Sequence, residues 1–162
     1  MNAENQANRL AKLMAKQQHI PSYELAFPPI SIRSTKFQKL EVGDIFLLGL
    51  KHFTCLLLDD TMIYAEVTLC HEDNREYFKI TKRIKAPDLS SGSKKYETVK
   101  CTFGNIQCRV LEVGHRIDIG SLDLHHVDVI YNGKRFATAS LVNVNDEIAV
   151  KINKINKEVK DV

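Results

Sequence analysis

The sequence predicts a mainly β protein: two tandem small β units with a helix in front of them. Three observations carry this prediction. From Ile30 onward, short apolar runs of strand length alternate with turn-forming residues. Asn132-Gly133 sits between two such runs, and that dipeptide suits the tight hairpin whose two central residues take positive φ. Segments of the first half also recur in the second at a nearly constant spacing, the mark of a repeated unit.

The elements follow in order. Residues 3–19 are rich in Ala, Leu, Lys, Gln, Arg and Met, all good helix formers. Ala7, Leu10, Leu13, Met14 and Gln17 fall at helical spacing and leave a narrow apolar stripe, which suits either a docking surface or a frayed terminus. Pro21 and then Pro28-Pro29 end that helix. Residues 45–48 and 53–58 are apolar runs of strand length, and 62–69 and 77–84 alternate, with Asp59-Asp60 and residues 71–75 as the turns between them. Residues 86–95 have loop composition. Strand signals resume over 98–103, 106–111 and 127–131, then 135–144 and 148–155, with a turn at Asn145-Asp146. The expected organisation is a helix and linker over 1–26, a first unit over 27–86, a linker over 87–95, a second unit over 96–156 and a tail over 157–162.

The repeat rests on three features in the same order. Leu40-Glu41-Val42-Gly43 returns as Leu111-Glu112-Val113-Gly114, each copy leading into apolar alternation at Ile45 and Leu47 or at Ile117 and Ile119. Phe78-Lys79-Ile80-Thr81-Lys82 returns as Val150-Lys151-Ile152-Asn153-Lys154, and the Asp59-Asp60 turn has its counterpart at Asn132-Gly133. A unit of roughly 60 residues buries only about 60% of its unfolded surface. Its edge strands also need partners. Two copies on one chain are therefore expected to intertwine as an intramolecular pseudo-dimer.

Composition narrows the function. The chain has 162 residues, 44% hydrophobic and 27% charged, too apolar for a disordered chain. No apolar stretch approaches the length of a membrane-spanning helix, and the N-terminus has no apolar core of a secretory signal. A cytoplasmic location follows as an expectation, with the four cysteines reduced. Lys and Arg number 23 against 20 Asp and Glu, scattered rather than clustered. With no Trp and 7% aromatics, the chain is thin in stacking groups, so its slightly basic balance is compatible with a nucleic-acid role but does not argue for one.

Candidate chemistry is sparse. Cys70-His71 and His125-His126-x-Asp128 have ligand-type side chains but no paired metal-ligand spacing. Adjacent strand residues also point to opposite faces, so His125 and His126 do not converge on one ion. Cys55, Cys101 and Cys108 sit in apolar runs, where a free Cys acts as a small hydrophobe. Asp59-Asp60 reads as a turn, and Gly43 and Gly114 as turns into strands rather than phosphate loops. No catalytic constellation, metal or cofactor is expected.

The repeat resembles the SpoA (surface presentation of antigens) domain. The resemblance rests on Leu40 to Ile45 in the first copy. In the second it rests on Val127-Asp128-Val129-Ile130-Tyr131-Asn132-Gly133-Lys134, on Ala139-Ser140-Leu141-Val142-Asn143-Val144-Asn145-Asp146, and on Val150-Lys151-Ile152-Asn153-Lys154-Ile155. It covers about residues 27 to 156, and the second copy matches better. Ala139 and Ala149 stand where the family usually has Gly, both copies are short before Leu-x-x-Gly, and no large N-terminal domain precedes the first copy. That leaves open a naturally short form, a divergent ring protein or a piece of a longer one.

The resemblance implies a non-enzymatic scaffold of the type III secretion cytoplasmic ring, or sorting platform. It implies pairing with other SpoA subunits in an oligomer, and binding of the ATPase's linker or stator protein. It also implies a place at the cytoplasmic face of the inner membrane, held there by the complex rather than by insertion. A flagellar motor-switch protein is the near alternative, and a small β-barrel binding nucleic acid the distant one. By resemblance, Leu141, Val142 and Val144 present an apolar patch to the linker protein. Val142 and Val144 share one strand face and Leu141 takes the other. If the first pair fills the core, Leu141 is the exposed candidate.

Overall fold

A computed structural model describes residues 7–9, 20–60, 62–87, 95–119 and 122–156. Residues 7–9 are helical, and the rest of the segment expected as the N-terminal helix lies outside the described residues. The elements are β1 (Ser22–Ala26), β2 (Ile30–Arg33), α1 (Ser34–Gln38), β3 (Ile45–Leu50), β4 (Thr54–Asp59), β5 (Met62–Glu72) and β6 (Arg75–Pro87). The second half holds β7 (Tyr96–Gln107), β8 (Arg116–Asp118), β9 (His126–Tyr131), β10 (Lys134–Val144) and β11 (Glu147–Ile155). The protein is mainly β, as the alternation predicts.

Local chemistry sets the hairpins. Asn132-Gly133, Asn145-Asp146 and Asp73-Asn74 each join two strands through a two-residue loop whose central residues both have positive φ. That geometry matches the right-handed twist of paired strands, and Asn, Asp and Gly tolerate it best. The turn after β4 begins at Asp60, with φ +55, and not at Asp59, which ends the strand. The polar run at 71–75 is a turn only at its centre, because His71, Glu72 and Arg75 belong to the strands.

The strands form one antiparallel sheet in the order β3-β11-β10-β9-β7-β1-β4-β5-β6-β8, with β2 also paired to β7. This order exchanges edges between the halves. β3 of the first half pairs with β11 of the second, and β8 of the second with β6 of the first. β9 spans 126–131 and β10 spans 134–144, each 72 positions after β4 at 54–59 and β5 at 62–72. Replacing each strand by its counterpart in the other half makes the strand order read backwards. The loops before the edge strands repeat the relation. The Gly43 amide donates to the Ile152 carbonyl at 2.8 Å, and the Gly114 amide donates to the Ile80 carbonyl at 2.8 Å. The Ile152 amide returns a bond to the Asp44 carbonyl at 2.9 Å, and the Ile80 amide one to the His115 carbonyl at 3.0 Å. Gly43 and Gly114 adopt φ of +97° and +91°, a region a side chain would strain.

The sheet curls around one apolar cluster to which all the strands and α1 contribute. Phe27 and Phe103, from opposite halves, pack with ring centroids 5.1 Å apart, and Phe53 bridges them at 5.2 and 5.4 Å. Phe37 of α1 crosses to the second half and packs on Tyr131 and Phe136 at 4.6 and 5.1 Å. Aromatic pairs of this geometry contribute beyond their buried area.

Several expectations are corrected. Residues 22–26, assigned to the N-terminal linker, form β1, which pairs with both β4 and β7 near the middle of the sheet. The two runs 98–103 and 106–111 are one strand, β7, which ends at Gln107, so Cys108 lies beyond it. Gly104, at φ +103, marks the irregularity inside β7 that reads in sequence as a break. Before Leu40 the first half carries only the one-turn helix α1. Ala86 and Pro87 belong to β6, and residues 88–94 of the expected linker lie outside the described residues.

Candidate functional site

The face of β10 follows from alternation. Ala137 and Ala139 are buried in the core, and Leu141 packs against the same cluster from the same face. Leu141 is therefore not the exposed member of the expected patch. Val142 and Val144 lie on the opposite, outer face, each half-buried. Pairing extends this face across the sheet. Val142 stands opposite Ala149 of β11, and Ala149 opposite Leu47 of β3. One row along, Ser140 faces Lys151, and Lys151 faces Ile45. On β3, Phe46 turns inward and is buried, while Ile45 and Leu47 are 46% and 58% exposed.

The structure thus brings two of the three expected residues, Val142 and Val144, together with Ala149, Ile45 and Leu47. Ala149 itself is fully buried between Val142 and Leu47, and the sequence reading did not single out Ile45 and Leu47 as neighbours of Val142. It matched Ile45 and Leu47 to Ile117 and Ile119, yet Ile117 is buried and Ile119 packs on the core. The true counterparts are one residue earlier: β3 pairs Ile45 with Lys151, and β8 pairs Arg116 with Lys79. A one-residue slip in a strand moves every side chain to the other face.

At the other end of the sheet the counterparts of this patch are polar. Cys70 and Glu72 replace Val142 and Val144, Tyr77 replaces Ala149, and Arg116 and Asp118 replace Ile45 and Leu47. Three of these side chains, Glu72, Tyr77 and Arg116, satisfy one another. Arg116 Nη1 lies 2.8 Å from Glu72 Oε2, the Tyr77 hydroxyl donates to the same oxygen at 3.2 Å, and the guanidinium sits 4.7 Å from the Tyr77 ring centroid. Desolvation and then the bond to Glu72 push the Tyr77 phenol up, against the lowering influence of Arg116. It stays a neutral donor.

The remaining candidates have local structural partners. His126 Nε2 lies 3.2 Å from Asp128 Oδ1 on one face of β9, and the His125 amide donates to Asp123 Oδ1 at 2.9 Å in the preceding turn. Among the described residues no group of three or more His, Cys, Asp or Glu side chains is placed to hold a metal ion. Cys55 and Cys101 are buried, and burial raises both thiols, Cys101 to about 12. Cys108 is also raised, first by burial, and its thiol donates to the Val110 carbonyl at 3.2 Å. Tyr131 is raised first by the hydrogen bond it donates to Glu97 Oε2 at 2.7 Å and then by burial. No helix among the described residues is long and apolar enough to cross a membrane.

Compared with protein-family models the chain matches none, and it matches no curated protein sequence.

Proposed function

We propose that the chain is a non-enzymatic scaffold of two tandem SpoA-like units, intertwined as an intramolecular pseudo-dimer. In this reading it belongs to the cytoplasmic ring of a bacterial type III secretion system, pairs there with other SpoA subunits and binds the ATPase's linker protein. It works in the cytoplasm, carried to the inner membrane by the complex.

The observation that carries the reading is the reciprocal clamp. The Leu-Glu-Val-Gly loop of each half hydrogen-bonds the Val-x-Ile or Phe-x-Ile strand of the other, with matched distances. Two units that lend each other an edge strand share one sheet and one core. What such a fold offers is its outer face. The apolar patch of Ile45 and Leu47, flanked by the half-buried Val142 and Val144, suits a protein partner, since exposed apolar surface bordered by polar groups marks such interfaces.

Affinity capture tests the proposal. Immobilised linker protein of the secretion ATPase should retain the chain and lose the Val142→Asp variant, with the far-UV circular dichroism of the variant unchanged. A folded Val142→Asp that is retained like the parent chain would overturn this reading.

A further inference from the structure

We infer that the slot between β2 and β3 receives an extended segment of a partner protein, with apolar and acidic residues in alternation, by strand addition. Among the described residues β3 is the last strand of the sheet and pairs only with β11, and β2 pairs only with β7. Consecutive residues of both strands, 30–33 of β2 and 45–47 of β3, border one groove of about 420 Å³. A strand that lines a groove with successive residues presents its main chain there and not merely one row of side chains. Two open backbone edges facing one groove are the geometry that strand addition uses.

The side chains specify the ligand. Ile45, Leu47 and Tyr96 are exposed apolar or aromatic groups at this groove, ready to receive the alternate residues of an added strand. Arg33 and Lys36 are its charged groups, and among the described residues no Asp or Glu lines it. The complementary segment is therefore acidic between its apolar residues. A second copy is disfavoured: two-fold docking brings the same patch of each subunit together, so Arg33 and Lys36 would meet their own kind. The chain's residues 1–19 are a poor occupant for the same reason, with Arg9, Lys12 and Lys16 against Glu4.

At the other end a groove of about 630 Å³ beside β8 is lined by charged and polar groups, Arg109, His115, Arg116 and Asp118 among them. There the edge strand β8 is three residues long, with Arg116 and Asp118 flanking Ile117. Short, charged edges are how sheets avoid unwanted pairing. β3, with six mostly apolar residues, carries no such protection.

The test uses the full chain and a fluorescein-labelled synthetic peptide, Glu-Val-Asp-Val-Glu-Ile-Asp-Val, followed by fluorescence anisotropy. The peptide should bind. Replacing its four acids by Lys, or reversing the slot with Arg33→Glu and Lys36→Glu together, should weaken binding by about tenfold or more. N-methylation of alternate peptide amides should weaken it about as much, through lost main-chain hydrogen bonds. Val142→Asp should leave it unchanged, because Val142 lies two strands away from the open edge; this separates the slot from the linker-binding proposal. Circular dichroism checks that both variants fold. The inference is overturned if the acidic peptide does not bind, or if the Lys or N-methyl peptide binds equally well. It is also overturned if the chain dimerises in sedimentation and Leu47→Lys abolishes the dimer, since a second copy then fills the slot.

Discussion

The two ends of the sheet have the same architecture and opposite surfaces. At one end Ile45, Leu47, Val142, Val144 and Ala149 share an outer face next to an open six-residue edge. At the other, Arg116, Asp118, Cys70, Glu72 and Tyr77 hold the matching positions beside a three-residue edge, with Arg116, Glu72 and Tyr77 tied together by an ion pair, a hydrogen bond and a cation–π contact. The inward residues, by contrast, stay apolar at both ends: Phe78 and Ile80 match Val150 and Ile152, all fully buried. The core must be filled twice, so its pattern persists. The outer face has no such demand on it, and it is apolar at one end and self-paired at the other.

Four experiments break or sharpen that comparison. The largest effect belongs to the shared inside. Ile80→Ala and Ile152→Ala should each cost about 2–5 kcal/mol, the usual range for truncating a buried Ile. Because each lies under the other half's loop, urea should unfold the whole chain in one transition for both variants. Two separate transitions would show that the ends are independent.

The outer faces should part company in binding. Leu47→Asp should weaken capture by the linker protein by about 30-fold, the scale of an interface hot spot near 2 kcal/mol. Cys70→Asp, at the counterpart of Val142, should leave capture unchanged. Equal losses at both ends would erase the distinction.

The closed end should matter little to stability. Arg116→Ala removes a pair whose side chains are 60% and 50% exposed, so it should cost no more than about 1 kcal/mol in chemical denaturation.

Thiol chemistry gives the smallest readout. Cys70 is only partly buried and should react first with a thiol reagent at pH 8. Cys101, raised to about 12, and Cys55 should react only on unfolding, because the thiolate is the reactive form. The sign for stability follows. A thiol held up in the folded state contributes fully below its unfolded value near about 8.5 and loses that contribution as pH rises above it.

Much of this was legible in the chain. The hairpins at Asn132-Gly133 and Asn145-Asp146 announce themselves because few residues accept positive φ, and alternation marks the long strands β5, β6 and β10. β1 was hidden: its apolar end, Leu25-Ala26, sits between Pro21 and Pro28-Pro29, which signal a linker. α1 is too short for helical periodicity to register. The candidate face was half visible. Val142 and Val144 stand on the long strand, but Ile45 and Leu47 join them only through pairing across β11, at a sequence distance of about 100 residues that no local pattern spans. A repeat also does not say which copy an edge strand joins.

That last point is the most directly testable. In the exchanged sheet Leu47 is the partner of Ala149, whereas a first half closed on itself would place Leu47 beside Tyr77, the counterpart of Ala149. Directly opposed strand residues lie about 4.5–5.5 Å apart at Cα, within disulfide reach. Under mild oxidation, the Leu47→Cys and Ala149→Cys pair should form an intramolecular disulfide, and the Leu47→Cys and Tyr77→Cys pair should not. The reverse result would contradict the exchange of edges between the two halves.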